Sequence, residues 1–179
     1  GSKNGAGVIL NHGDLKDSIT YITEGVETGL SVRDAVKHER VIATMGKSSL
    51  PNIDMGLLTN KVVLCLDNDG KAIEKDKAIL DVISKLQQHG KEVIIAMPFR
   101  QGDFNDVERT NGIQGVINTL NKAVSLDRMK GTDNENRMSH DQIKTCLEKI
   151  SNQIQMNLPE TKDKAIEKTK SLQRFEMEL

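Results

Sequence analysis

The sequence predicts an α/β fold with a central, mainly parallel four-stranded sheet flanked by helices. Four short segments rich in Val, Ile and Thr alternate with longer segments that have helical spacing, which is typical of strands joined by helices. The strand segments are apolar almost without interruption, as expected for parallel strands that are buried on both faces. The four predicted strands are 18–23, 41–45, 62–66 and 93–97.

Periodicity and turn residues predict the structure of the segments between these strands. Residues 5–10 are a candidate further strand, and residues 46–60, with Pro51 and two glycines, are predicted to be a loop. Three helices are predicted, over 26–39, over 72–89 with Gly90 as its end, and from Asp106 to about 129.

A change of composition at residues 131–139 divides the chain. This segment is polar and has no periodicity, which predicts a linker. Beyond it, Ser139 and Gln142 have the spacing of a capping box. A second charged helix is predicted to start at Pro159. The apolar stripe of the first helix comprises Ile143, Leu147, Ile150, Ile154 and Leu158.

We therefore predict a C-terminal helical pair that packs either on the domain or on a partner, so that self-association through these helices is an open alternative. Gly1 and Ser2 have the appearance of a cloning scar, which favours a fragment of a larger protein. The predicted organisation is an N-terminal extension over 1–18, a globular domain over 19–130, a linker over 131–138 and a helical region over 139–179.

Composition excludes several classes of protein. The formal charge of −1 excludes a globally basic nucleic-acid binder, although a local basic strip or a metal-mediated contact is still compatible with it. Cys65 and Cys146 are far apart in the sequence and suggest neither a disulfide framework nor a zinc site. No apolar segment has the length of a membrane span and no signal peptide is visible, so we expect a cytoplasmic protein without membrane contacts.

Acidic residues follow three of the four predicted strands. Glu24 follows the first, Asp67 and Asp69 follow the third, and Asp103 and Asp106 follow the fourth. Because the carboxyl ends of parallel strands meet at one edge of a sheet, these carboxylates should lie close together. Like charges at such distances repel, so the grouping needs a cation. Oxygen-only ligands suit Mg²⁺, with Mn²⁺ as an alternative.

The combination of these motifs resembles a known family. A strand followed by Glu24-Gly25, a strand followed 43 residues later by the Asp67-x-Asp69-Gly70 motif, and then the segment GDFND are similar to the Toprim domain. Bacterial-type primases, type IA and type II topoisomerases, OLD-type nucleases and RecR-type repair proteins share this Rossmann-like fold. The stretches EGVETGLS and DFND are typical of the branch found in phage and plasmid primase-helicases and in conjugative relaxase or mobilisation proteins.

The resemblance implies a role for each matching residue. Glu24 matches the glutamate assigned to general acid-base work or metal ligation. The DxD pair matches the aspartates that coordinate Mg²⁺. The positions implied for metal binding are Asp67, Asp69, Asp103 and Asp106, and those implied for close approach or substrate contact are Gly25, Gly70 and Asn105.

Two positions depart from the primase pattern. Many primases have an aspartate where this chain has Thr28, which leaves Glu27 as a substitute. Many also have a lysine where this chain has Gly102, so that Arg100 would have to supply the positive charge near phosphate. From its place in the loop after the second strand, Lys47 is a further candidate for substrate binding.

The resemblance implies Mg²⁺-dependent phosphoryl or nucleotidyl transfer on nucleic acid, either primer synthesis or strand cleavage. The partners it implies are DNA, above all single-stranded, or an RNA primer, together with nucleotides and the other domains of a parent protein. The alternative is a non-catalytic, metal-dependent DNA-binding module. Tyr21, the single tyrosine, lies in the first strand, which disfavours topoisomerase-type cleavage.

Overall fold

A computed structural model describes residues 7–13, 18–126 and 138–156 of the chain. The predicted cloning scar, nearly all of the predicted linker and the predicted second C-terminal helix lie outside the described residues, and the domain boundaries stay a prediction. No helix within those ranges is long and apolar enough to cross a membrane.

The predicted α/β fold is confirmed, with a mixed sheet of six strands in the order β1-β3-β2-β4-β5-β6. The four predicted strands form its parallel centre, and the candidate strand near the N-terminus pairs antiparallel with β3 at one edge. The strands are β1 (Gly7–Asn11), β2 (Ile19–Thr23), β3 (Arg40–Thr44), β4 (Lys61–Cys65), β5 (Glu92–Ala96) and β6 (Val124–Ser125).

Four α-helices occur among the described residues, together with short 3-10 helices at Lys47–Asn52, Met55–Leu57 and Ile73–Lys75. The α-helices are α1 (Val26–Val36), α2 (Lys77–Gln88), α3 (Phe104–Leu120) and α4 (His140–Met156). Three helix predictions were wrong in their bounds. The helix predicted over 26–39 ends at Val36, because Lys37 leaves the helical conformation with φ +48°. The helix predicted over 72–89 begins only at Lys77, because the Asp76 side chain accepts the backbone N–H groups of Ala78 and Ile79 and so caps it there.

The helix predicted to reach residue 129 ends at Leu120, and β6 follows it. A turn after Leu120 brings Val124 beside Ile95, where the short strand adds an antiparallel edge to β5. Val124 therefore packs against the core from a strand rather than from the apolar stripe of a helix. An apolar residue three or four positions after others fits both patterns, so periodicity alone could not separate them.

Helices cover both faces of the sheet. Side chains of α1 and α3 pack with Val41, Val63 and Cys65 on one face, and those of α2 and α4 pack with Ile22, Leu64 and Ile95 on the other. The chain leaves β2 towards β3 on one side and later returns to β4 on the other side of β2. This reversal between β2 and β4 opens a crevice at their carboxyl ends, where ligands bind in open α/β sheets.

Helix α4 belongs to the same core. Ser139 and Gln142 form the predicted capping box, with the Ser139 N–H donating to Gln142 Oε1 at 2.7 Å. The side chains of Ile143, Leu147 and Ile150 are fully buried in the cluster that contains α2 and the 3-10 turn at Ile73–Lys75. The apolar stripe is thus covered by the domain itself, at least over the described part of the C-terminal region.

Candidate metal centre

Glu24 and Asp67 meet at the crevice between β2 and β4. Glu24 directly follows β2 and is only 7% exposed, which is unusual for a carboxylate. Its Oε1 accepts the backbone N–H of Asp67 at 3.3 Å, so the loop after β4 is tied to the loop after β2. The chain therefore places one buried acid against the start of the DxD motif.

Asp67 carries a buried oxygen that no described residue satisfies. Its Oδ1 is shielded from solvent and has no hydrogen-bond partner. Burial raises the pKa of Asp67 to about 6, and the negative charges of Asp103 and Asp69 add to the increase. A buried carboxylate oxygen without a donor is costly, and a cation would satisfy it.

Burial and the neighbouring charge of Asp67 raise the pKa of Glu24 to about 7. Lys47 opposes this shift but does not cancel it. A carboxyl group that titrates near neutral pH can take up or release a proton under ordinary conditions, which is what general acid-base work requires.

Asp103 and Asp106 lie at the start of α3 and cap it. Asp103 Oδ1 accepts the Asp106 backbone N–H at 2.8 Å, and Asp106 Oδ2 accepts the Asp103 N–H at 3.3 Å. The second Asp103 oxygen accepts the hydroxyl of Thr28 at 3.1 Å. Thr28, which stands where many primases have an acid, thus holds Asp103 in place instead of adding a further charge.

The loop after β5 is joined to the DxD loop by backbone hydrogen bonds. Asn68 and Gly102 exchange N–H···O bonds of 2.9 and 3.0 Å, and the Asn68 side chain donates to the carbonyl of Pro98 at 2.9 Å. Gly102 has φ +132°, and a Cβ there would lie 2.7 Å from Asp106 Oδ2. A lysine at Gly102 would be strained, so this turn favours glycine there.

Lys47 lies among three carboxylates. Its ammonium is 2.8 Å from Asp69 Oδ2, 3.4 Å from Asp76 Oδ2 and 3.8 Å from Glu24 Oε2. Burial lowers the pKa of Lys47, but the hydrogen bond to Asp69 and the charges of the three acids outweigh burial and raise it. Asp76 was missed by the sequence analysis, although an acid just before an apolar helical stripe is a recognisable N-cap signal.

The other predicted site residues lie around the acidic residues and do not line the cleft between them. Glu27 is exposed in the first turn of α1, and its role as a substitute for the missing acid stays a prediction. Arg100 is exposed on the loop that is bonded to the DxD loop, and Asn105 is half-buried in the first turn of α3. A Cβ on Gly25 would meet nothing within 4 Å, whereas Gly70 has φ +69° and so favours glycine.

An open cleft of about 400 Å³ lies between Glu24, Lys47, Asp67, Asp69 and Asp76. The side chains in the cleft that could bind a metal ion are carboxylates, and Mg²⁺ prefers oxygen ligands. The unpartnered Asp67 Oδ1 supports such an ion. No three His, Cys, Asp or Glu side chains in the described ranges already stand close enough to hold a metal ion. The cleft is lined by Glu24, Lys47, Asp67, Asp69, Lys71, Ala72, Ile73, Asp76 and Ile79.

The raised pKa values predict a pH-dependent stability of the metal-free protein. Glu24 and Asp67 titrate at about 7 and about 6 when folded, against ordinary values of 4.5 and 3.8. Between these limits the folded state holds more protons than the unfolded state, so the free energy of unfolding should fall as pH rises from about 4.5 to about 7.5.

Urea unfolding in chelator across this range measures the slope, and Glu24→Gln should make it shallower. A Glu24→Gln protein with the same slope as wild type would show that Glu24 has an ordinary pKa. Glu92→Gln, at the opposite end of β5, is the control and should keep the wild-type slope.

A family model described as a Toprim domain matches residues 19–114. No curated protein matches the chain. Among solved structures, the Aquifex aeolicus primase (zinc binding and RNA polymerase domains) is 19% identical with a TM-score of 0.47 over 63% of this chain and 28% of that chain.

Two further solved structures are similar to this chain. A DnaG primase catalytic domain bound to ssDNA is 16% identical with a TM-score of 0.43, over 62% of this chain and 35% of that one. A DnaG catalytic core is 12% identical with a TM-score of 0.44, over 83% and 56%. The chain thus spans between 28% and 56% of the length of these structures. The match over more than half of its residues shows that this chain belongs to the Toprim domain family.

Proposed function

We propose that this chain is a primase-like domain for Mg²⁺-dependent phosphoryl or nucleotidyl transfer on nucleic acid, working within a plasmid, phage or conjugative DNA-processing protein. The observation that carries the proposal is the burial of Glu24 beside the unpartnered Asp67 Oδ1 at the crevice of the sheet. Membership of the Toprim family, the order of the acidic motifs and the carboxylate ligands in the cleft support the same function.

Asp67 and Asp69 would hold the cation, Glu24 beside them would be within reach of the same ion, and Asp103 would add negative potential from the next loop. A bound Mg²⁺ (or Mn²⁺) supplies charge neutralisation at a phosphate and orients its oxygens. Glu24 would hold or release the proton of the attacking or leaving hydroxyl from its buried position beside the DxD motif.

Substrate contacts would come from the rim of the cleft. Lys71 lines the cleft and is exposed, and Arg100 lies exposed on the neighbouring loop. Gly25 leaves open space beside Glu24, and Gly70 permits the sharp turn after the DxD motif. These residues would bind the backbone of single-stranded DNA or of an RNA primer. In the synthetic reaction they would also bind a nucleotide.

A second candidate is a metal-dependent DNA-binding module without chemistry. It is favoured by the turn at Gly102, which leaves no lysine beside the acidic motif, and by Asp103, whose two oxygens are already engaged by Asp106 and Thr28. In this case the carboxylates would bridge to phosphate through the ion, and catalytic groups would come from other domains of the parent protein.

One pair of assays separates the candidates. Fluorescence anisotropy with a labelled single-stranded oligonucleotide, in MgCl₂ or chelator, measures metal-dependent binding. Gel analysis of the same oligonucleotide with Mg²⁺ or Mn²⁺, with and without nucleotides, measures any change in its length. The proteins are wild type, Glu24→Gln, Asp67→Asn and the distant control Glu92→Gln.

Metal-dependent binding that is lost in Asp67→Asn, together with a length change that is lost in Glu24→Gln, is the expected result for the enzyme. We expect little or no primer synthesis from this chain alone, and the length change that the assay can still detect is weak, Mn²⁺-dependent nicking. Metal-dependent binding without any length change would instead support the binding module. Binding that is equal in MgCl₂ and chelator for all four proteins would contradict both.

A further inference from the structure

The backbone of the loop after β3 delivers Lys47 to the cleft. Gly46 donates its N–H to the Glu24 carbonyl at 2.8 Å, which fixes the loop to the residue that carries the buried carboxylate. Gly46 has φ +106°, a conformation that other residues rarely adopt, and Lys47 follows as the first residue of the 3-10 helix Lys47–Asn52. The backbone thus holds Lys47 beside the cleft, and its three carboxylate contacts place the ammonium there.

Lys47 contacts the carboxylates that the metal would use. Its ammonium is 2.8 Å from Asp69 Oδ2 and 3.8 Å from Glu24 Oε2, so a cation bound by these oxygens would stand within a few Å of it. Two cations at this separation repel strongly, and the carboxylates cannot serve both fully. In the metal-free protein the Lys47 ammonium therefore supplies the positive charge that a metal ion would otherwise supply to these carboxylates.

Asp76 offers the ammonium an alternative partner. Its Oδ1 accepts the N–H groups at the start of α2, which leaves Oδ2 to face Lys47 at 3.4 Å. Because the helix cap holds Asp76 in place, this oxygen would stay available when Glu24 and Asp69 turn to a metal ion. Lys47 would thus leave Glu24 and Asp69 when a metal ion binds, and its contact with Asp76 would keep the ammonium near the cleft.

We propose that Lys47 is a tethered cation that competes with the divalent ion for Glu24 and Asp69, and that the displaced ammonium then contacts the phosphate held at the ion. The inference rests on the metal site of the proposed function. In the metal-free protein Lys47 limits repulsion among the acids. In the metal-bound protein it stands beside the phosphate, where a positive charge is favourable.

Lys47→Met, which keeps the length of the side chain and removes its charge, gives two effects of opposite sign. Mg²⁺ should bind about ten- to thirtyfold more tightly by isothermal titration calorimetry, since a repelling charge is gone. The labelled single-stranded oligonucleotide, in saturating MgCl₂, should bind more weakly. Lys47→Arg, which keeps the charge, should stay near wild type for Mg²⁺.

Lys71→Met is the matched control, because Lys71 lines the same cleft but is exposed, and it should change the Mg²⁺ affinity much less. Equal or weaker Mg²⁺ binding by Lys47→Met, with measurable binding by wild type, would overturn the competition and leave the metal site standing. Tighter Mg²⁺ binding with unchanged oligonucleotide affinity would overturn the phosphate contact. No Mg²⁺ binding by any of the proteins would remove the metal site itself and the inference with it.

Discussion

Asp67→Asn is expected to abolish the thermal response of this protein to MgCl₂ and to raise the melting temperature of the metal-free form. The substitution removes a half-buried negative charge whose pKa is raised to about 6 by burial and by the neighbouring acids, so the repulsion that destabilises the metal-free fold is reduced. It also replaces the carboxylate whose Oδ1 has no other partner among the described residues with a neutral amide, which is a weaker ligand for Mg²⁺.

In wild type, an ion that binds only the folded state stabilises it by about 1.4 kcal/mol at a tenfold excess over Kd. For a chain of this size the melting temperature should rise by roughly 3–6 °C. Thermal melts in chelator, millimolar MgCl₂ and NaCl of matched ionic strength measure both effects. Glu92→Gln should respond to MgCl₂ as wild type does, and identical melts of wild type and Asp67→Asn in all three buffers would contradict the account.

Leu147→Ala is expected to lower the free energy of unfolding by about 2–5 kcal/mol, the range for a large side chain lost from a packed core. Leu147 is fully buried in the cluster that joins α4 to α2 and to the 3-10 turn at Ile73–Lys75. Because this turn follows the DxD loop, α4 supports the segment that carries the predicted metal ligands.

Urea unfolding monitored by circular dichroism measures the loss. Lys149→Ala, on the exposed side of the same helix, is the control and should stay within about 0.5 kcal/mol of wild type. A Leu147→Ala protein as stable as the control would show that α4 is not part of the cooperative core.

The parallel centre of the sheet could be predicted because its sequence signal is local. Residues 62–66 are apolar without interruption and are followed at once by Asp67, so both the burial of β4 and the place of the DxD motif could be derived from the sequence. The same holds for Glu24 after β2. The short edge strand β6 could not be predicted, since its existence depends on pairing with β5 and not on its own two residues.

The contacts inside the site depend on residues that are distant in the sequence. Thr28 bonds to Asp103 across 75 positions, and Lys47 meets Asp69 across 22. Spacing showed which residue types reach the edge of the sheet, but not that a lysine would stand among the acids. The double role of Asp76, as helix cap and as partner of Lys47, likewise appears only when the loops are assembled.

The central claim is that the carboxylates after β2 and β4 hold one divalent cation at the crevice of the sheet. Anomalous diffraction from crystals soaked in MnCl₂ tests it most directly, because Mn²⁺ takes the same oxygen ligands as Mg²⁺ and can be located without assumptions about the site. The account predicts a peak within about 2.5 Å of an Asp67 oxygen, with Asp69 or Glu24 as a second ligand and the Lys47 ammonium moved away from it. Ordered Asp67 and Asp69 side chains with no peak beside them, and Lys47 still paired with Asp69, would contradict it.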